Sequence, residues 1–116
     1  MLESPDSIAV IGTPGGSRII SMVFLGALEY LQDKPVDDWV TRSRFHHQYL
    51  PDVIQYEPGT ISAAVMDELK SRGHEFKDLG REYGYMQAIL IDKKTVKVSA
   101  ASDPRAIGSA KVITHK

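Results

Sequence analysis

The sequence contains no cysteine, and that absence removes disulfide frameworks, thiolate nucleophiles and thiolate zinc sites. Chemistry must come from oxygen, nitrogen or backbone groups. A surplus of one charge sign is also missing: 14 Lys and Arg stand against 15 Asp and Glu, for a net charge of -1. The basic residues are scattered among acids, so the cationic stripe that neutralises nucleic-acid phosphates is not there, and no nucleic acid is expected as a partner. Long apolar runs are absent as well. The longest, Ile19 to Leu28, is about half of what a bilayer-crossing helix requires and is interrupted by Ser21, so no membrane span is expected. Met1-Leu2-Glu3-Ser4-Pro5-Asp6 has neither the basic n-region nor the apolar h-region of a signal peptide, and an export signal is expected only in a longer precursor. What is present is ordinary for a soluble α+β domain. With 116 residues, 42% of them apolar and 25% charged, the composition excludes disorder and repeats, and predicts a single domain over residues 1–116 with one core.

Ile8-Ala9-Val10-Ile11 is a short apolar run that ends in Gly12-Thr13-Pro14-Gly15-Gly16, the signature of a buried strand entering a tight turn. From Ser17 to about Lys34 the apolar residues Ile19, Ile20, Val23, Phe24, Ala27, Leu28 and Leu31 follow helical 3/4 spacing. Met22, Leu25 and Tyr30 widen the stripe, which predicts a central and mostly buried helix stopped by Pro35. A short helix is expected around Asp37 to Arg42, and a strand over Val53 to Glu57. Ser62 is placed to cap a helix that reaches Arg72, with Gly73 as its left-handed terminator. Gln87 to Asp92 and Val96 to Ala100 then read as an antiparallel hairpin joined by Lys93-Lys94-Thr95.

Three groups of residues are candidates for chemistry. The turn Thr13-Pro14-Gly15-Gly16-Ser17 joins a strand to a long helix and leaves backbone N–H groups free to face an anion. It lacks the Lys-Ser/Thr of a Walker A loop and the third glycine of a dinucleotide fingerprint. On the pattern alone, a turn in which glycine serves only the backbone angles is the better reading. His46 and His47 are adjacent and so diverge on a strand or a helix, while His74 and His115 have no ligand spacing. No metal and no cofactor is expected from them. Ser102-Asp103-Pro104-Arg105, just beyond a strand, is suited to an ion pair or to a turn in which Asp caps its own backbone, a structural role in either case.

Taken together, Gly12-Thr13-Pro14-Gly15-Gly16-Ser17-Arg18-Ile19-Ile20, Arg44-Phe45-His46-His47-Gln48-Tyr49-Leu50-Pro51-Asp52, Arg72-Gly73-His74, Met86-Gln87-Ala88-Ile89 and Ala101-Ser102-Asp103-Pro104-Arg105 resemble, in order, the C-terminal part of gamma-glutamyltransferases. The likeness extends from Gly12 to Arg105. It implies part of a four-layer αββα sandwich of the N-terminal nucleophile hydrolase type, truncated at its N-terminus, from a precursor that cuts itself into a large and a small subunit. It further implies transfer of the gamma-glutamyl group of glutathione or a similar amide, through a threonine whose free α-amine is the base, to water or to an amino acid or peptide. The backbone N–H groups of Gly15 and Gly16 would then form the oxyanion hole.

The resemblance also marks what this chain lacks. Thr13, Thr41, Thr60, Thr95 and Thr114 are all internal, so none offers a free α-amine. The groups that hold the substrate's α-amino and α-carboxyl ends, and a serine pair beside the oxyanion site, lie upstream of the position of Gly12 in the family. Ser43 replaces the proline usual before Arg-Phe-His-His, a local structural change. The chain is therefore expected to be inactive alone. Its expected partners are the remainder of the small subunit, the large subunit, a gamma-glutamyl substrate and further copies of itself, and the parent enzyme is expected in the periplasm or outside the cell. A stand-alone, non-catalytic binding or assembly domain of the same fold is the alternative.

Overall fold

The structure is a computed structural model that describes residues 1–114. His115 lies outside the described residues. The described residues pack into two units, one made of residues 1–42 and 84–114 and the other of residues 43–83. Sequence patterning reads these as one core, because the short apolar runs of the second unit carry no boundary signal of their own.

The first unit is built on an antiparallel sheet in the order β1 (Leu2–Glu3), β2 (Ser7–Gly12), β6 (Gln87–Asp92) and β7 (Val98–Ser102). Its inner face is small. Ala9, Ala88 and Ala101 are buried, and the register sets Ile11 against Ala88 and Ala88 against Ala101. Small side chains here let the helices come close. On α1 (Ile19–Leu31) the buried residues are Met22, Leu25, Gly26 and Glu29, an i, i+3, i+4, i+7 stripe that faces inward. A Cβ on Gly26 would stand 3.3 Å from the Met86 sulfur, so that glycine seats the helix on the sheet. The six-residue α2 (Val36–Thr41) adds Val36, Trp39 and Val40 to the core. Trp39 packs edge-on against Tyr30 at 5.5 Å, and its indole N–H donates to the Lys34 carbonyl at 2.9 Å.

Two expectations change here. Helix α1 is not mostly buried: Ile20, Phe24 and Leu31 are 79%, 59% and 71% exposed, because the sheet covers one face of a helix whose apolar residues run nearly all the way round. Val96 does not begin the last strand. It sits in the turn at φ 56°, where the Asp92 carboxylate accepts the N–H groups of Lys94 and Thr95, each at 2.8 Å. Those bonds, the Thr95 N–H foremost, hold the Asp92 carboxyl below the usual range, and the Asp6 carboxylate holds the Lys94 ammonium above its own.

The far face of the sheet is apolar and open. Val10, Ile89 and Val98 point away from the helices and are 42%, 40% and 36% exposed. A sheet covered by helices on one side, with apolar residues exposed on the other, is half of a sandwich.

The second unit carries β3 (Phe45–His46) antiparallel to β4 (Ile54–Tyr56), and β4 parallel to β5 (Phe76–Asp78). α3 (Ala63–Ser71) makes the crossover, capped by Ser62 through the Val65 N–H and followed by Gly73 at φ 93°. Glu57, fully buried, closes the unit. One carboxylate oxygen accepts the Arg44 N–H at 2.9 Å and the other the Tyr83 N–H at 2.8 Å, while the Arg44 guanidinium donates to the Tyr83 carbonyl.

Candidate functional site

The sheet ladder ends at the pair Gly12 and Gln87, and the chain then turns through Thr13-Pro14-Gly15-Gly16 into a single 3-10 turn, Gly16–Arg18, before α1. Both glycines have positive φ, 149° at Gly15 and 59° at Gly16, where a side chain is strained. A Cβ on Gly15 would lie 2.6 Å from the Met22 methyl group, the far end of a flexible side chain that can shift, so the backbone angle is the stronger requirement there. At Gly16 a Cβ would meet nothing within 4 Å, so its requirement comes from the backbone angle alone.

The carbonyls of this turn are used and its amides are not. Gly15 O accepts the Arg18 N–H at 3.2 Å and Gly16 O accepts the Ile19 N–H. Among the described residues no acceptor engages the N–H of Gly15 or of Gly16, and both residues are exposed. Two adjacent free amides ahead of the 3-10 turn and the thirteen-residue α1 are donors of the kind that an oxygen anion accepts. Beside it, on the open face of the sheet, lies an apolar groove of about 730 Å³ lined by Gly12, Thr13 and Pro14 on one side and Tyr85, Gln87 and Ile89 on the other.

The remaining candidates are structural. Asp103 is buried, and its carboxylate accepts the N–H of Met86 at 3.0 Å, the N–H of Arg105 at 3.0 Å and the Arg105 guanidinium at 3.2 Å. That guanidinium also donates to the carbonyls of Val40, Thr41 and Arg42 at 3.0, 3.3 and 3.1 Å. It thus satisfies the last acceptors of α2. His46 and His47 diverge: the first is buried with its Nε2 2.9 Å from the Gln48 amide oxygen, and the second is exposed with its Nε2 2.7 Å from Asp52. Among the described residues no three His, Asp or Glu side chains are grouped to hold a metal ion, and no helix is long and apolar enough to cross a membrane. Sequence reasoning missed Glu57 and the contact between Arg42 and the buried Glu29. A Glu facing the core inside the apolar stripe of α1 is the one signal that points to the latter.

Comparison with known proteins places these features in context. The family model for gamma-glutamyltranspeptidase matches residues 1–113. A glutathione hydrolase proenzyme of Pseudomonas aeruginosa is 40% identical over 108 residues, which cover 90% of this chain and 19% of that protein. A glutathione hydrolase proenzyme of Escherichia coli is 34% identical over 101 residues, covering 84% of this chain and 17% of that protein. The chain therefore spans about a fifth of the length of these relatives. The gamma-glutamyltranspeptidase of Pseudomonas nitroreducens, solved in complex with L-DON, superposes with a TM-score of 0.79 at 38% identity, covering 91% of this chain and 55% of that one.

Proposed function

This chain belongs to the gamma-glutamyltranspeptidase family, and on that premise we propose that it is the oxyanion-binding, C-terminal part of the small subunit of an enzyme that moves gamma-glutamyl groups. Its α+β fold, helices on one face of an antiparallel sheet, is part of the N-terminal nucleophile hydrolase sandwich of such enzymes. The observation that carries the reading is the pair of free amides at Gly15 and Gly16, in positive-φ conformations at the head of α1.

In the proposed reaction, a threonine that begins the small subunit attacks the gamma-glutamyl carbonyl carbon of glutathione or a similar amide. Its hydroxyl proton passes to its own α-amine, and the carbonyl π electrons move onto oxygen. That oxyanion is held by the Gly15 and Gly16 N–H groups, which are fixed before charge develops and need no reorganisation. Collapse breaks the C–N bond, the α-ammonium proton goes to the leaving amine, and a gamma-glutamyl ester remains. Water or an amino acid then repeats the sequence in reverse. By the family resemblance that threonine lies upstream of the position of Gly12, so in this reading the nucleophile is supplied from outside these residues and the chain alone does no chemistry. By the same family resemblance, the parent enzyme works in the periplasm or outside the cell.

The partners follow from the exposed apolar surfaces. The open face of the sheet is the surface for the second sheet of the sandwich, contributed by the rest of the enzyme. Without that cover the chain associates with itself, through this face and through the groove where Met1 and Leu2 lie beside Ile20 and Phe24 of α1. The reading is tested by incubating the purified 116-residue chain with a gamma-glutamyl anilide. No aniline is released above background. Release that substitutions in the chain abolish would overturn it.

A further inference from the structure

The glycine turn has little to hold it in place. Pro14 has no N–H, Gly15 and Gly16 have no side chains, and both glycines are exposed. Their two carbonyl bonds run forward into the helix and leave the link back to the sheet unmade. Thr13 supplies that link. Its half-buried hydroxyl oxygen accepts the Tyr85 N–H at 3.2 Å, and its own proton has the Pro14 carbonyl at 3.0 Å and the Met22 sulfur at 3.9 Å as acceptors in reach. The ladder between β2 and β6 ends at Gly12 and Gln87, so this bond continues the pairing past the last backbone rung, from a side chain.

The donor end is anchored in turn. Met86, the residue after Tyr85, gives its N–H to the buried Asp103 carboxylate and packs its side chain against Gly26 of α1. Tyr85 is therefore a fixed point, and the Thr13 hydroxyl fastens the start of the glycine turn to it. A threonine suits the position, since branching at Cβ restricts its rotamers and holds the hydroxyl in one direction.

We propose that Thr13 is a positioning residue for the oxyanion site, its hydroxyl tying the glycine turn to the Tyr85 backbone so that the Gly15 and Gly16 amides are held where charge develops. The inference rests on the oxyanion reading of the turn. Because the hydroxyl acts through the turn and not on the substrate, its loss lowers kcat while leaving substrate binding little changed.

The test compares Thr13→Val, Thr13→Ala, Thr13→Ser and Gly16→Val in a processed two-subunit enzyme that contains these residues, with a gamma-glutamyl anilide as substrate. Thr13→Val and Thr13→Ala are expected to lower kcat by about 10- to 100-fold with KM changed by no more than about twofold, and Thr13→Ser to restore most of the loss. A kcat at parental level in the first two variants, while Gly16→Val loses activity, overturns the role of Thr13 and leaves the oxyanion reading standing. Serine as impaired as valine also overturns it, because the hydroxyl is then not the group that matters. If Gly16→Val keeps its kcat as well, the oxyanion reading itself falls. Failure of both the Val and Ala variants to fold or process assigns Thr13 to the fold alone and overturns the proposal.

Discussion

Asp103 meets three donors from a fully buried position, and the Arg105 guanidinium it faces is itself almost entirely enclosed. Removing one partner of such a pair leaves the other charged and uncompensated, a larger penalty than the pair's own net contribution. Asp103→Ala is therefore expected to destabilise the chain by about 3–5 kcal/mol in urea unfolding followed by circular dichroism. A loss below about 1 kcal/mol would mean that Arg105 finds compensation elsewhere. The pair was legible in sequence as an ion pair or a turn, and the structure makes both at once. What could not be read is that Arg105 reaches the end of α2, 65 positions earlier in the chain for the Val40 carbonyl, because no local pattern encodes a partner so distant. Glu57 was hidden for a different reason: hydrophobic patterning assigns a glutamate to the surface, whereas the backbone amides of Arg44 and Tyr83 give this one partners inside.

At the level of elements, periodicity located β2, α1, α2, α3 and β6 well, an apolar run marked the three-residue β4, and other strands too short to have a period went unread. β1 and β5 have two and three residues, and they exist because neighbouring strands supply their hydrogen bonds. The β6–β7 turn shows the same competition. Propensity assigns Val96 to a strand, but the Asp92 carboxylate captures the amides of Lys94 and Thr95 and draws the chain into a turn, leaving a β-branched residue at φ 56°. Val96 is 76% exposed, so little packing is lost on replacement. Val96→Gly is expected to stabilise the chain, by about 1 kcal/mol once the greater entropy of the unfolded glycine is set against the relieved strain. Equal or lower stability in urea unfolding would show that the backbone at Val96 is unstrained.

For the whole molecule, the governing feature is an apolar sheet face and an apolar helix face that the described residues leave open. The proposed cover is the rest of the enzyme, and alone the chain is expected to be a dimer or larger. Light scattering that returns 12.9 kDa over a wide range of concentration would contradict this. The glycine turn was accessible from sequence because its residues are contiguous, and the sandwich followed from the family resemblance that five separate blocks carry. The open groove beside the turn was not, since it is formed by strands brought together from both ends of the chain. The central claim is that the Gly15 and Gly16 amides stabilise an oxyanion, and the most direct measurement is kcat of a processed enzyme carrying Gly16→Val. The substitution leaves room for the side chain and disturbs the backbone angle that aims the amides. With processing complete and the melting temperature within a few degrees of the parent, kcat is expected to fall by about 10²–10³-fold with a much smaller change in KM. A folded, processed variant with near-parental kcat would contradict the account and leave the glycines as a turn and nothing more.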